Sequence, residues 1–461
     1  MSRCHCQTTR RGFVTGCSAA IAALAGSRFN SLAFARGLTA NDEIVVVLFL
    51  RGGQDGLNLV IPTGGFDRGR YEALRPTIAI PAAAAGAYPL GSLAGPDGAV
   101  AFGLHPAAAP LHEIFQDGKL AIAVACGMAA NERSHFESMN WMELGTPGVG
   151  STADGWLTRH LASATNLPPE MLMPSVSIGG LQAVSQLGSY ETVNMGSPDD
   201  FSLSTGPWSA RTAQRVALRN LYGGDTTWLH RAGLQALDAV DIVELYCSGG
   251  YVPRPGVVYP ETWFGDNLKT IAQLVKLDLG LHVATLDLGG WDHHEQEANP
   301  GAPTQGIYAD LVDELARGLA AFWSDLDDAA AGFPNRRLTL VVMSEFGRRA
   351  YQNEDDGTDH GHGNNLLVLS GHAIGGLHGS WPGLRNELLN EGDLEVTNDF
   401  RRVLSEIVVR RLGNPRLDLV FPGYAGYQPL GVVTGEDLPP GEPIFADGFE
   451  TGDTSRWSFG T

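Results

Sequence analysis

Two clusters of histidine and aspartate, each a few residues after an apolar run, are where this chain could do chemistry. The first is Asp292-His293-His294, after Leu281-His-Val-Ala-Thr-Leu-Asp-Leu288. The second is Asp359-His360-Gly361-His362, shortly after Leu338-Thr-Leu-Val-Val-Met-Ser-Glu345. Imidazoles and carboxylates gathered at the carboxyl ends of buried parallel strands are how an α/β protein builds a metal site. Of the thirteen histidines, two lie at 293–294 and four between 360 and 378, a crowding that scattered surface residues would not produce.

Spacing narrows the candidates. Asp292 and His294 are two apart, so in an extended segment they point the same way and can reach one ion, while His293 points elsewhere, or the two histidines have the reverse roles. Asp359, His360 and His362 alternate with glycine and have little apolar content that would make them core. Glu345 ends the second run and is a candidate ligand. Three residues on, Arg348 has a planar fork that suits phosphate or sulfate, with a Glu345–Arg348 ion pair as the plain structural alternative. Asp55, in Gly52-Gly-Gln-Asp-Gly-Leu-Asn58, reads as a metal carboxylate at a strand end or as ordinary Asp-Gly turn chemistry. Ser134-His135-Phe136-Glu137 has the pattern of a capping box. A serine at a helix N-terminus is also where a nucleophile gains from free N–H groups, and His135 adds a ligand or a general acid. His372 and His378, set among glycines, read as loop residues.

The elements that must position these groups read as α/β. Ile44–Leu50 is apolar and β-branched throughout, the mark of a central strand buried on both faces. Leu120–Cys126, Leu281–Leu288, Leu338–Met343 and Leu366–Leu369 read as further strands. Helices are predicted over His105–Asp117, Ser134–Glu143, Ser209–Tyr222, Leu229–Leu245, Trp263–Leu277, Ile307–Ala331 and Arg401–Leu412. Alternation of strand and helix predicts a mostly parallel central sheet with helices on both faces. Residues 63–103 read as loop with short pieces of structure, and 150–255 as an inserted cap.

The ends read differently. Residues 1–35 have the pattern of a twin-arginine signal peptide: Thr9-Arg10-Arg11-Gly12-Phe13, an Ala-rich stretch, then Ala33-Phe34-Ala35. That predicts export by the twin-arginine machinery to the periplasm or beyond, with an apolar stretch too short for stable membrane insertion. Residues 36–435 form the predicted domain, and 436–461 a linker and short tail motif. Net charge is −20, and loss of the leader's four arginines makes the remainder more acidic. Nucleic acid is excluded as an electrostatic partner, and cations are favoured. Of five cysteines, only Cys126 and Cys247 lie beyond the leader, so this is no disulfide scaffold. Gly52-Gly-Gln-Asp-Gly lacks the G-x-G-x-x-G spacing of a dinucleotide site.

From about Val45 to Leu412 the chain resembles the bacterial domain of unknown function 1501 family. The landmarks are Leu50-Arg-Gly-Gly-Gln-Asp-Gly-Leu-Asn58, Ser134-His-Phe136, Gly289-Gly-Trp-Asp-His-His294, Ser344-Glu-Phe-Gly-Arg348 and Gly357-Thr-Asp-His-Gly-His-Gly363. That family looks related to the alkaline phosphatase and sulfatase superfamily. The resemblance implies an alkaline-phosphatase-like α/β fold, a two-metal site and hydrolysis of phosphate or sulfate esters. Asp55 then matches the superfamily's first-strand metal aspartate, and Asp292 and His294 its later Asp/His pair. The Asp-His-Gly that normally ends the next strand comes late here, at Asp359-His360-Gly361, with Glu345 in its place. No Cys/Ser-x-Pro-x-Arg motif is present, so formylglycine chemistry is not implied, and Ser134 stands as the nucleophile by position. The expected ligand set is Asp55, Asp292, His294, Glu345, Asp359, His360 and His362 around two divalent ions. Zinc is favoured by the imidazoles; magnesium, manganese or calcium by the carboxylates. Arg348 would hold a small anionic ester. The rival expectation is a secreted binding or scaffold protein that keeps the fold without catalysis.

Overall fold

The computed structural model describes residues 41–82, 86–150, 152–168, 171–203, 206–247, 250–327 and 335–439. The twin-arginine leader, and the tail from residue 440 on, lie outside the described residues. In chain order the strands are β1 (Ile44–Leu50), β2 (Val60–Pro62), β3 (Tyr88–Gly95), β4 (Gly98–Leu104), β5 (Leu120–Gly127) and β6 (Ser175–Ile178). They continue with β7 (Thr192–Met195), β8 (Val283–Leu288), β9 (Leu338–Ser344), β10 (Asn364–Ser370), β11 (Gly376–His378) and β12 (Asn398–Asp399). One sheet has the order β11-β5-β10-β9-β1-β8-β6-β7, with β12 also on β5; a second joins β2, β4 and β3.

In the large sheet every pairing is parallel except those of β10, which runs antiparallel to both β9 and β5. The carboxyl ends of β5, β9, β1 and β8 therefore lie on one edge. Because β10 is reversed, its amino end, and the loop bearing Asp359 to His362, reach that same edge.

Side-chain alternation explains why these runs are apolar throughout. Ile44, Val46, Leu48 and Leu50 of β1 enter one core, with Phe264, Leu268 and Ile271 of the helix Trp263–Leu277 and Val312, Leu315 and Phe322 of the helix Ile307–Leu326. Val45, Val47 and Phe49 enter the other, with Val403, Leu404 and Ile407 of the helix Phe400–Arg410 and with Trp156 and Phe421. A strand that feeds two cores has no position to spare for a polar residue. The mostly parallel α/β sheet with helices on both faces is thus as expected.

Two stretches differ from their sequence readings. Residues 63–103 hold the helix Phe66–Leu74 and the β3–β4 hairpin, which short glycine-rich strands conceal. Residues 150–255 include β6 and β7, which extend the central sheet beside β8, as well as the helices Arg211–Tyr222 and Trp228–Tyr246. The stretch is therefore partly sheet, with strands of four residues too short to show periodicity. Cys126 and Cys247 are both buried and free. Among the described residues no helix is long and apolar enough to cross a membrane.

At the opposite edge of the sheet a buried polar chain joins three elements. The Asn414 amide donates to His160 Nδ1 (3.1 Å), which leaves the His160 proton on Nε2, 3.0 Å from His282 Nε2. Asn414 is oriented by its Oδ1, which accepts the Arg416 N–H. Burial pushes both imidazoles down, His282 to about 4, so both are neutral in the fold. The unfolded chain takes up protons near pH 6.5 and the fold does not. Stability is therefore complete above about pH 6.5 and is lost as pH falls toward 4, by about 3 kcal/mol from His282 alone. Urea unfolding across that window should show this slope, and His160→Leu with His282→Leu should flatten it.

Candidate metal centre

The loops at the carboxyl edge are held by backbone contacts close enough to require glycine. Gly52, just past β1, has φ +122°, and a Cβ there would lie 2.6 Å from the Asp292 nitrogen. A Cβ on Gly357 would lie 2.3 Å from the His294 carbonyl carbon. Between β9 and β10 a short ladder forms: Gly347 N–H to His362 O, Arg349 N–H to Asp359 O and Gly361 N–H to Gly347 O. It sets His360 opposite Arg348. His135 opens the helix His135–Leu144 after β5.

Three imidazoles meet on Asp292. His294 Nε2 is 3.0 Å and His360 Nε2 3.2 Å from Asp292 Oδ1, and His135 Nε2 is 3.3 Å from Oδ2. The His294 and His360 Nε2 atoms are themselves 3.0 Å apart. Each ring is fixed from behind through Nδ1. His135 Nδ1 donates to Glu345 Oε1 (2.7 Å), His294 Nδ1 to Asp359 Oδ1 (2.9 Å) and His360 Nδ1 to the Arg133 carbonyl (2.8 Å). With the proton on Nδ1, a neutral imidazole turns its Nε2 lone pair inward. Three lone pairs then face one carboxylate at ligand-to-ligand distances, close to the roughly 3.3 Å edge of a tetrahedron around zinc. His135 Nε2 is buried without a hydrogen-bond partner. His135, Asp292 and His360 form the one group of three metal-type donors among the described residues, all within 4.8 Å. These residues fit a divalent cation.

The charge around them fits as well. Burial raises the Asp292 carboxyl, but hydrogen bonding and charge from Arg348, with His135 and His294, hold it down at about 2, so it is a carboxylate at neutral pH. The hydrogen bond from His135 to Glu345 raises the His135 pKa against burial. Phe346, buried, packs its ring against His135 and His360 at 4.9 and 5.1 Å. Asp292 and His294 keep 47 % and 42 % of their side-chain surface exposed, so the centre is open to solvent.

The structure gives the other sequence candidates different work. Glu345 is buried and accepts from His135, Gly52 N–H and the Ser344 hydroxyl, so it holds a donor in place instead of an ion. Arg348 pairs with Asp292 and not with Glu345. It is buried, and its donors go to the carbonyls of Gly52, Gly53, Trp291 and Thr358 and to Asp292. Asp359 likewise serves from outside: it meets His294 at Nδ1, behind the ring, and orients it. Asp55 is buried against Arg75, which binds both its oxygens, and Asp55 Oδ1 also caps the Leu57 N–H. His362 donates from Nε2 to the Met128 carbonyl (2.7 Å), with the Asn390 amide at Nδ1, and is a core histidine. His293 is buried with its ring against Tyr308 and is not among the donors grouped at Asp292. Ser134 occupies the N-cap position but makes no side-chain cap bond; Glu132 Oε1 instead accepts the Arg133 and Ser134 N–H groups. The expected capping box is therefore not formed. His372 and His378, along β10–β11, stay outside the cluster.

The two aspartates should be separated by cation uptake, not by stability. Asp55→Asn leaves the buried Arg75 without its carboxylate, and Asp292→Asn does the same to the buried Arg348, so each should lose up to about 3–5 kcal/mol in urea unfolding. Only Asp292→Asn should also lower zinc uptake in equilibrium dialysis; equal uptake by the two variants would show that Asp292 is no ligand.

No curated protein matches the sequence. Among solved structures, the chain is similar to Ps i-CgsB in complex with k-i-k-neocarrahexaose, at 10% identity over 75% of this chain and 69% of that one, with a TM-score of 0.33. It is similar also to the lipoteichoic acid synthase LtaP from Listeria monocytogenes, at 8% identity over 79% and 76%, with a TM-score of 0.31. Residues 264–405, which include Asp292, His294, Glu345, Asp359 and His360, match the family model described as "Protein of unknown function (DUF1501)".

Proposed function

We propose that this chain is an exported hydrolase of phosphate or sulfate esters that works with one divalent cation held by His135, Asp292 and His360. The carrying observation is the convergence of inward lone pairs on a carboxylate, each ring fixed by an outer acceptor in the manner of metal-bound histidines. Zinc suits two imidazoles and one carboxylate best. One such group, against the two-ion expectation, supports a single site. A divalent cation there supplies positive charge opposite the ester oxygens that gain charge in the transition state.

The chain's own residues supply the rest. Asp359 keeps the His294 proton on Nδ1, so Nε2 can take a proton from an attacking water. The water oxygen forms its bond to phosphorus or sulfur as the bond to the leaving oxygen breaks on the opposite side. The departing alkoxide takes its proton from solvent, and His294 Nε2 gives its proton back to solvent. An imidazole oriented by a carboxylate is suited to act as such a base. With Arg348 committed to carbonyls and Asp292, the substrate's negative charge faces the cation itself.

Elemental analysis of purified protein should find about one zinc per chain, lost in Asp292→Ala and His360→Ala. Phosphomonoester, phosphodiester and sulfate ester substrates, tested after metal loading, should reveal turnover with at least one. His294→Gln should keep the metal and lower kcat by about 10²–10⁴. Protein that takes up no metal and turns over none of the three classes would favour a non-catalytic scaffold and end this reading.

A further inference from the structure

We infer that Asp393 is a positioning residue of the candidate centre: by holding Arg133 against the loop that carries His360, it sets the separation of His135 and His360 that one cation needs. The inference rests on the single-cation reading above and adds a residue outside its donor set.

The two histidine donors come from different arms. His135 follows β5, and His360 lies in the loop between β9 and β10. The loop between β11 and β12 is stitched to the His360 arm on both sides of Asp393. Ala350 N–H donates to Gly392 O (3.1 Å) and Gly363 N–H to Leu394 O (2.8 Å), with Arg349 paired opposite Asp393. Asp393 is buried, and its Oδ2 accepts from both Nε (2.9 Å) and Nη2 (2.5 Å) of Arg133, in the His135 arm. Arg133 in turn offers its carbonyl to His360 Nδ1 (2.8 Å) and stands two residues before His135. A loop fixed to one arm thus grips the other arm at the residue that orients one donor and leads into the next.

Stability alone accounts poorly for this pair. Asp393 Oδ1 is buried with no hydrogen bond among the described residues, and Arg349 Nη1 stands 3.8 Å from it. A buried carboxylate left half satisfied offsets its desolvation badly. What the pair does provide is direction: two donors of a planar guanidinium on one oxygen fix the Arg133 side chain in place. Outer partners of metal-binding imidazoles hold the rings at the angle and distance an ion requires. The same guanidinium also meets Glu391, but at 3.5 Å and with a side chain 69% exposed, a contact that water screens. The two carboxylates on Arg133 therefore separate a positioning role from a general effect of negative charge.

The test uses the full chain, loaded with zinc or with cobalt(II), whose visible absorption reports the arrangement of its ligands. Zinc affinity is measured by competition with a chelator. Asp393→Asn should bind zinc about tenfold or more weakly, as is usual when an outer partner of a metal site is lost, and should alter the cobalt spectrum. Glu391→Gln should match the wild type in both. Arg133→Lys, at a side chain 26% exposed, loses the fork but keeps the charge and the backbone carbonyl, and should follow Asp393→Asn. Urea unfolding and circular dichroism identify the variants that fold; if Asp393→Asn does not, Arg133→Lys decides. Folded variants that keep the wild-type affinity and spectrum, or an equal loss in Glu391→Gln, overturn the positioning role and leave the single-cation reading standing. Wild type that takes up neither zinc nor cobalt overturns both.

Discussion

One buried guanidinium holds the candidate centre together. Arg348 leaves the carboxyl end of β9 and bonds the carbonyls of Gly52 and Gly53 after β1, Trp291 after β8 and Thr358 in the loop before β10, as well as Asp292. A sheet positions strand ends; it does not position the loops beyond them. A planar fork with five fixed donors can tie several loops at once in a way that a lysine cannot. Burial of an arginine is tolerable because each of its three nitrogens meets a carbonyl or carboxylate and Asp292 supplies the counter-charge. The lid of polar contacts over the sheet edge follows from that one residue.

A second buried pair does similar work one layer below. Arg75 joins Asp55, at the end of β1, to the carbonyls of Arg349 and Ala350. Asp55 in turn lies against Glu297, whose carboxyl is raised well above the usual range by burial and by the Asp55 charge. Glu297 is therefore a neutral acid, held by Asn58 and Thr358. Thr358 directly precedes Asp359 and His360, so the deeper network and the outer one share a strut. The ionic residues of this edge divide by depth: Arg75, Arg348, Asp55, Glu297 and Glu345 are buried and fix loops, while Asp292, His294 and Asp359 are partly exposed.

That division is why the sequence shows the fold more plainly than the site. β1 is legible because a strand feeding two cores is apolar at every position, and β8 and β9 are legible because they are nearly so, with polar residues only at Thr285, Asp287, Thr339 and Ser344. β3, β4, β6 and β7 are not, being short, glycine-rich or at an edge, where either face tolerates polar residues. The His/Asp crowding at 292–294 and 359–362 marks the correct edge of the sheet. It does not say which members face inward. Asp55, Glu345, Arg348 and His362 have the right chemistry for a site, yet their partners are Arg75, His135, backbone carbonyls and Met128, set by contacts between residues far apart in the chain. The role of His135, marked in the sequence as a ligand or a general acid, is only partly legible. Its ring is turned toward Asp292 by Glu345, 210 positions away, and no local spacing could indicate that.

The imidazoles of this edge differ in how readily they take a second proton. Burial, with the neighbouring charges of His135 and Arg348, pushes the His360 pKa down against the pull of the Arg133 carbonyl on its Nδ1–H. His135 goes the other way, because its hydrogen bond to Glu345 outweighs burial. As imidazolium, His135 would turn an Nε2–H toward Asp292 Oδ2, 3.3 Å away; as a neutral ring it leaves that nitrogen buried without a hydrogen-bond partner. A divalent ion among His135, Asp292 and His360 would meet all three donors at once, so proton and ion would compete for the same nitrogen.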